Sequence, residues 1–241
     1  MEYFSATNSK NSQTLVFLHG WGGSWQSWSP ILERLKENFD LFSFDLPGSG
    51  NQKIEKMMNL DDYISFVVKT LKTRKIKNPI LIGHSFGGAI ASKIAAKKLF
   101  PIKKLILVDS ATIRHPYTPS QKNKFKILGI LKKVFPFARN FYYKITKLQN
   151  SDYAAIKNNP FLQKTFQNII QQDLSPIINQ IKVPTLIIWG ENDTDTPLVD
   201  GQKINSLIPK SKLIVYPNST HFSYLENQDI FVRDIKKFIQ K

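Results

Sequence analysis

Pro79-Ile80-Leu81-Ile82-Gly83-His84-Ser85-Phe86-Gly87-Gly88 is the stretch that decides the fold. A short apolar run of β character ends at a serine bracketed by glycines, and Ala89-Ile90-Ala91-Ser92-Lys93-Ile94-Ala95-Ala96-Lys97-Lys98-Leu99 continues with helical spacing. A serine at such a strand-to-helix turn adopts a strained backbone, and only small neighbours let strand and helix pass closely enough to raise its hydroxyl clear. Gly83 and Gly87 supply that room, so Ser85 is the candidate nucleophile. The helix N-terminus aims free N–H groups at the same space, which makes the Phe86 N–H a candidate oxyanion donor. A bare G-x-S-x-G arises often by chance; its seat between strand and helix gives it specificity.

Five further apolar runs flank this turn, at Thr14 to Leu18, Leu41 to Leu46, Leu105 to Val108, Thr185 to Trp189 and Lys212 to Tyr216. They are nearly continuous rather than alternating, as in strands covered on both faces, and helical stretches separate them. The expected helices are Trp28 to Glu37, Leu60 to Thr73 with Asn59 or Asp61 as its cap, Gly87 to Leu99, Leu198 to Ser206 and Asp229 to Gln240. This is the pattern of an α/β protein with a mostly parallel, doubly wound sheet.

Between the strand ending near Asp109 and the one starting near Thr185 the chain is too long for a simple crossover, and its composition turns aromatic and lysine-rich. The expected organisation is therefore a core of residues 1–111 and 173–241 with a helical cap, residues 112–172, inserted into it. Lys124 to Phe135 and Phe137 to Leu148 each carry an apolar stripe, the first through Phe125, Leu128, Leu131 and Phe135 and the second through Phe137, Phe141, Ile145 and Leu148. Both stripes fit packing onto the core better than a membrane surface.

Composition bounds the function. The chain has 241 residues, 41% of them hydrophobic, with no apolar run near the roughly 18 residues of a membrane span. Met1 to Lys10 has neither the basic nor the apolar region of a secretory signal, so a cytoplasmic protein is expected. The absence of cysteine excludes disulfides, thiolate metal sites and a cysteine nucleophile. A formal charge of +16 would attract polyanions, but 29 of the 34 basic residues are lysine and no nucleic-acid-binding motif accompanies them. We expect no specific nucleic-acid partner and at most weak association with anionic surfaces.

A serine hydroxyl needs a base within hydrogen-bond reach and a group to orient that base. Of four histidines, His221 lies just past the last strand, at the sheet edge where the turn at Ser85 also opens. His84 is expected to point away from the site, His115 falls in the cap, and His19 belongs to the loop His19-Gly20-Trp21-Gly22-Gly23 after the first strand. That loop allows a tight turn whose backbone faces the site, with the Trp21 N–H as second oxyanion donor. For the orienting carboxylate, Glu191, Asp193 and Asp195 compete after the penultimate strand. No phosphate loop and no metal-ligand spacing of histidines occurs.

The order of these elements, with His19-Gly20-Trp21, Asp45-Leu46-Pro47-Gly48-Ser49-Gly50, the turn at Ser85, Gly190-x-x-Asp193-x-x-x-Pro197, and His221 followed by Glu226, resembles the α/β-hydrolase superfamily across nearly the whole chain outside the cap. It is most similar to small capped carboxylesterases and meta-cleavage-product hydrolases. The resemblance implies a catalytic triad of Ser85, Asp193 and His221, with Asp109 as the outside alternative for the acid, since some relatives take theirs from that loop. It further implies no cofactor, no metal and a carboxylic ester cleaved through an acyl-enzyme on Ser85; the aromatic composition of the expected cap suggests that this ester is small to medium and mainly apolar. A receptor-like binder with little turnover, an acyltransferase or a carbon–carbon bond hydrolase would use the same residues. Thr220 stands where a glycine usually precedes the histidine, Gln52 stands where many relatives have serine, and the leading strands look reduced.

Overall fold

The computed structural model describes residues 1–8, 13–114 and 159–240. Among these, seven strands form one sheet in the order β1-β3-β2-β4-β5-β6-β7. They are β1 (Tyr3–Ala6), β2 (Thr14–Leu18), β3 (Asp40–Phe44), β4 (Ile80–His84), β5 (Lys104–Val108), β6 (Thr185–Gly190) and β7 (Ser211–Tyr216). Only β1 runs antiparallel, against β3; the other pairings are parallel, as expected. The helices are α1 (Ser29–Leu35), α2 (Leu60–Thr73), α3 (Phe86–Ala96), α4 (Pro160–Ile169), α5 (Leu198–Leu207), α6 (Ser223–Glu226) and α7 (Gln228–Gln240).

The nearly continuous apolar runs follow from burial on both faces. Along β2, Leu15 and Phe17 join Trp28, Ile31, Phe231 and Ile235 on the face covered by α1 and α7. Val16 and Leu18 join Val67, Leu71, Ile90 and Ile94 on the face covered by α2 and α3. Asn59 is the cap of α2: its side chain accepts from the Asp62 N–H at 3.0 Å while Asp62 accepts from the Asn59 N–H at 2.8 Å.

Element ends differ from the sequence reading for local reasons. β3 stops at Phe44 because the Leu46 N–H donates to the His19 ring rather than to a strand. Trp25–Trp28 forms a single 3-10 turn, so α1 begins only at Ser29. α3 stops at Ala96 because Lys98 turns left-handed (φ 52°) and the Leu99 N–H bonds back to Ile94 O at 3.1 Å. β1 was not anticipated; it is a four-residue edge strand with alternating exposure.

α4 lies in the segment expected to form a cap, whereas His115 and the stretches Lys124 to Phe135 and Phe137 to Leu148 lie outside the described residues. The two flanks of this segment meet: the Leu174 N–H donates to Thr112 O at 3.1 Å and the Arg114 N–H to Asp173 Oδ1 at 3.2 Å. No helix among the described residues is long and apolar enough to cross a membrane.

Strand order places the site. The chain passes from β2 outward to β3, then returns to the other side of β2 as β4. The loops leaving β2 and β4 therefore diverge over the carboxyl ends of two adjacent strands, where a crevice opens in such sheets.

Candidate active site

Ser85 sits between β4 and α3 with φ 50° and ψ −115°, the strained turn expected of it. Gly83 and Gly87 permit the crossing: a Cβ at Gly83 would stand 2.4 Å from Gly87 O, and one at Gly87 would stand 2.3 Å from Leu18 O. Phe86 opens the helix, so its N–H has no partner one turn back. The loop after β2 lies against the serine, since a Cβ on Gly20 would meet Ser85 Cβ at 3.3 Å. In that loop the Gly23 N–H closes the turn onto Gly20 O at 3.2 Å, leaving the Trp21 N–H outside it.

His19 holds this loop in place. Its Nδ1 lies 2.7 Å from Gly20 O and its Nε2 accepts from the Leu46 N–H at 3.0 Å, which assigns the proton to Nδ1. Burial lowers its pKa to about 4, so the ring is neutral. His84 is buried, and its Nε2 lies 2.8 Å from His221 O. Burial, reinforced by His221, lowers it to about 3, so a neutral ring donates to the backbone of the histidine it faces.

His221 Nε2 lies 3.0 Å from Ser85 Oγ, and its Nδ1 lies 2.8 Å from Asp193 Oδ2. Burial opposes a charged imidazole, but the hydrogen bond and charge of Asp193, with smaller help from Asp109 and Asp195, hold the pKa above its ordinary 6.5. Burial would likewise raise Asp193, yet the bonds from His221 and Thr196 outweigh it and keep the carboxyl below its ordinary range. Asp193 Oδ1 accepts from the N–H groups of Asp195 and Thr196 at 2.8 and 2.9 Å. Of the competitors, Glu191 accepts from the Asn218 N–H at 3.0 Å and Asp195 is exposed.

Asp109, the outside candidate for the acid, is engaged elsewhere. Its Oδ1 accepts from the Gly190 N–H at 2.8 Å, and its Oδ2 accepts from the Ser223 hydroxyl at 2.6 Å and the Ser223 N–H at 3.3 Å. Burial pushes this carboxyl up to about 7. It ties the end of β5 to the loops that carry Asp193 and His221, a role with no local sequence signal. Glu226 does similar work, accepting from the Thr220 N–H at 2.7 Å and from the Thr220 hydroxyl. The threonine in the usual glycine position thus anchors the loop. Gln52, the other departure, closes a backbone turn, its carbonyl accepting from the Gly48 N–H at 2.7 Å.

Beside the serine, Trp21 and Phe86 meet edge to face at 5.7 Å, Tyr63 meets Phe86 at 4.9 Å, and Phe166 of α4 packs on Trp21 at 5.3 Å. A cleft of about 650 Å³ adjoins this aromatic wall, lined by Trp21, Gly22, residues 48–55, Asn159 and Leu162. No cluster of three or more potential metal ligands occurs among the described residues.

Comparison with known proteins shows the family. A pimeloyl-[acyl-carrier protein] methyl ester esterase from Wigglesworthia glossinidia brevipalpis is 30% identical over 95% of this chain and 95% of its own length. Another so named, from Nitrosomonas europaea, is 25% identical over 92% of this chain and 94% of its own length. In fold, the chain superposes on the enol-lactonase from Burkholderia xenovorans with TM-score 0.77 and 19% identity, over 100% of this chain and 96% of that one. The family model for the alpha/beta hydrolase fold matches residues 13–228. A match spanning all but the two ends makes this chain a member of the alpha/beta hydrolase fold family, and its relatives make it an esterase-like hydrolase.

Proposed function

We propose that the protein hydrolyses a small to medium, mainly apolar carboxylic ester through an acyl-enzyme on Ser85. One observation carries this reading: His221 bridges the two other members of the set, 3.0 Å from Ser85 Oγ and 2.8 Å from Asp193 Oδ2. Ser85 Oγ attacks the ester carbonyl as His221 Nε2 takes its proton, and the N–H groups of Trp21 and Phe86 stabilise the oxyanion. Asp193 balances the imidazolium. His221 then gives the proton to the departing alcohol, takes one from the water that attacks the acyl carbonyl, and returns it to Ser85 Oγ as the acid leaves. The aromatic wall of Trp21, Tyr63, Phe86 and Phe166 supports an apolar acyl or aryl group. The meeting of residues 112 and 174 supports a cap formed by the inserted segment 112–172, with residues 1–111 and 173–241 as the core.

The relatives' named substrate, a methyl ester on a carrier-borne pimeloyl group, belongs to the same reaction class. A chain of charge +16 would meet an anionic carrier favourably.

The test is hydrolysis of p-nitrophenyl esters of increasing acyl length, followed at early times. We expect a burst of one p-nitrophenol per chain and an acyl adduct on the peptide containing Ser85; turnover without any adduct there would remove the acyl-enzyme.

The acid limb of the rate profile follows from His221. The base must be neutral to accept the serine proton, so protonation removes activity as pH falls. Because its pKa is held above 6.5, the limb of kcat/KM is expected above that value. A profile flat from pH 8 to 5 would contradict His221 as the base.

A further inference from the structure

Thr196 stands immediately before Pro197 in the loop from β6 to α5, is 4% exposed, and was not singled out by its sequence pattern. Its backbone is fixed from both sides, the N–H donating to Asp193 Oδ1 at 2.9 Å and the carbonyl accepting from Trp189 Nε1 at 2.8 Å. The hydroxyl lies 2.7 Å from Asp193 Oδ2, 3.1 Å from Asp109 O and 3.3 Å from His221 Nδ1. It has one proton to give. His221 Nδ1 carries the hydrogen that reaches Asp193, so the hydroxyl proton is left with two acceptors. The shorter distance and the negative charge both select Asp193 Oδ2.

We propose that Thr196 is a positioning residue for the acid–base pair: its hydroxyl shares Asp193 Oδ2 with His221, fixing that oxygen and setting how strongly the carboxylate holds the imidazolium. The inference rests on Ser85, His221 and Asp193 being the reacting set. A second donor on one carboxylate oxygen draws charge away from the first. The hydroxyl therefore keeps the carboxylate from over-stabilising the protonated base. The other groups facing the imidazole are Asp195 from the same loop, Asp109 at the end of β5, and the neutral His84 ring of β4 at 4.9 Å. Changing Thr196 leaves the charge of each of them unaltered.

The experiment compares Thr196→Val and Thr196→Ser with the wild type on one p-nitrophenyl ester across pH, with Ser85→Ala as control. In the valine variant the shape and the backbone N–H to Oδ1 remain, and Oδ2 is left to His221 alone. We expect the acid limb of kcat/KM to move up by about half a pH unit, kcat at its optimum to fall about tenfold, and KM to stay unchanged. Serine is expected to restore both the limb and kcat. A purely structural threonine would lower the melting temperature and leave the limb in place. A folded valine variant with the wild-type limb, or a serine variant that fails to restore it, overturns the inference. Should the valine chain not fold, Thr196→Ala removes the hydroxyl without adding a methyl and carries the same expectation. If the wild type is active, Ser85→Ala is inactive and the limb is unmoved, only this inference falls; if Ser85→Ala hydrolyses normally, the proposed function falls first.

Discussion

Replacing Ser85 with alanine is expected to lower ester hydrolysis by at least about 10⁴-fold while the melting temperature stays within a few degrees of wild type. The two effects separate because of where Ser85 sits. Serine and alanine share a Cβ, so the strain at φ 50° is the same in both chains and the crossing of β4 with α3 is untouched. The hydroxyl gives the fold one hydrogen bond, to His221 Nε2 at 3.0 Å, worth about 1 kcal/mol. To the proposed reaction it gives the only bond-forming atom. Water could still be activated by His221 against a carbonyl held by the Trp21 and Phe86 N–H groups, so a residue of activity is expected rather than zero. Side-by-side melts and initial rates decide the matter. A variant within tenfold of wild type would show that Ser85 is not the nucleophile.

How much of this was legible in the sequence depends on the range of the forces involved. β4 was legible because Ile80 to His84 are all buried, so both faces of the strand demand apolar residues. α2 was legible because its apolar stripe begins directly after a reciprocal cap at Asn59 and Asp62. β1 was not: Tyr3 to Ala6 form an edge with one neighbour, their exposure alternates, and four such residues make no apolar run. The turn at Ser85 could be read because strand, glycines and helix are contiguous. The acid could not be chosen from composition alone, since Glu191, Asp193 and Asp195 fall within one loop. Asp193 differs from the others in receiving N–H groups from its own loop and facing a histidine 28 residues away in the chain. The tie that Asp109 makes was out of reach for the same reason, since Ser223 lies 114 positions distant along the chain. Thr196 stands three positions from Asp193, but its hydroxyl gains its place only beside His221, 25 positions on, and nothing local marks that meeting.

Gly83→Ala is expected to damage both the fold and the chemistry. Its Cβ would fall 2.4 Å from Gly87 O, 2.5 Å from Gly87 C and 2.6 Å from Gly88 N, all backbone of the first turn of α3. Those atoms cannot rotate away as a side chain could, so either α3 lifts off the sheet or the turn at Ser85 opens. Lifting is resisted on the far side, where α3 is already closed onto Leu18 O at Gly87, and along its length, where every residue from Phe86 to Ser92 is buried. Overpacking of this kind costs about 3 kcal/mol or somewhat more, which for a chain of this size is a fall of about 6–12 °C in melting temperature. The chemistry is more sensitive than the fold. Opening the turn by about 1 Å would carry Ser85 Oγ out of reach of His221 and away from the Phe86 N–H, and displacements of that size cost about 10²-fold in rate. Hydrolysis should therefore fall by more than the loss of folded protein accounts for, measured as kcat per native molecule below the transition. A variant that melts and turns over like wild type would mean the crossing of β4 and α3 has slack, and that the small residues around Ser85 are not what raises its hydroxyl into the site.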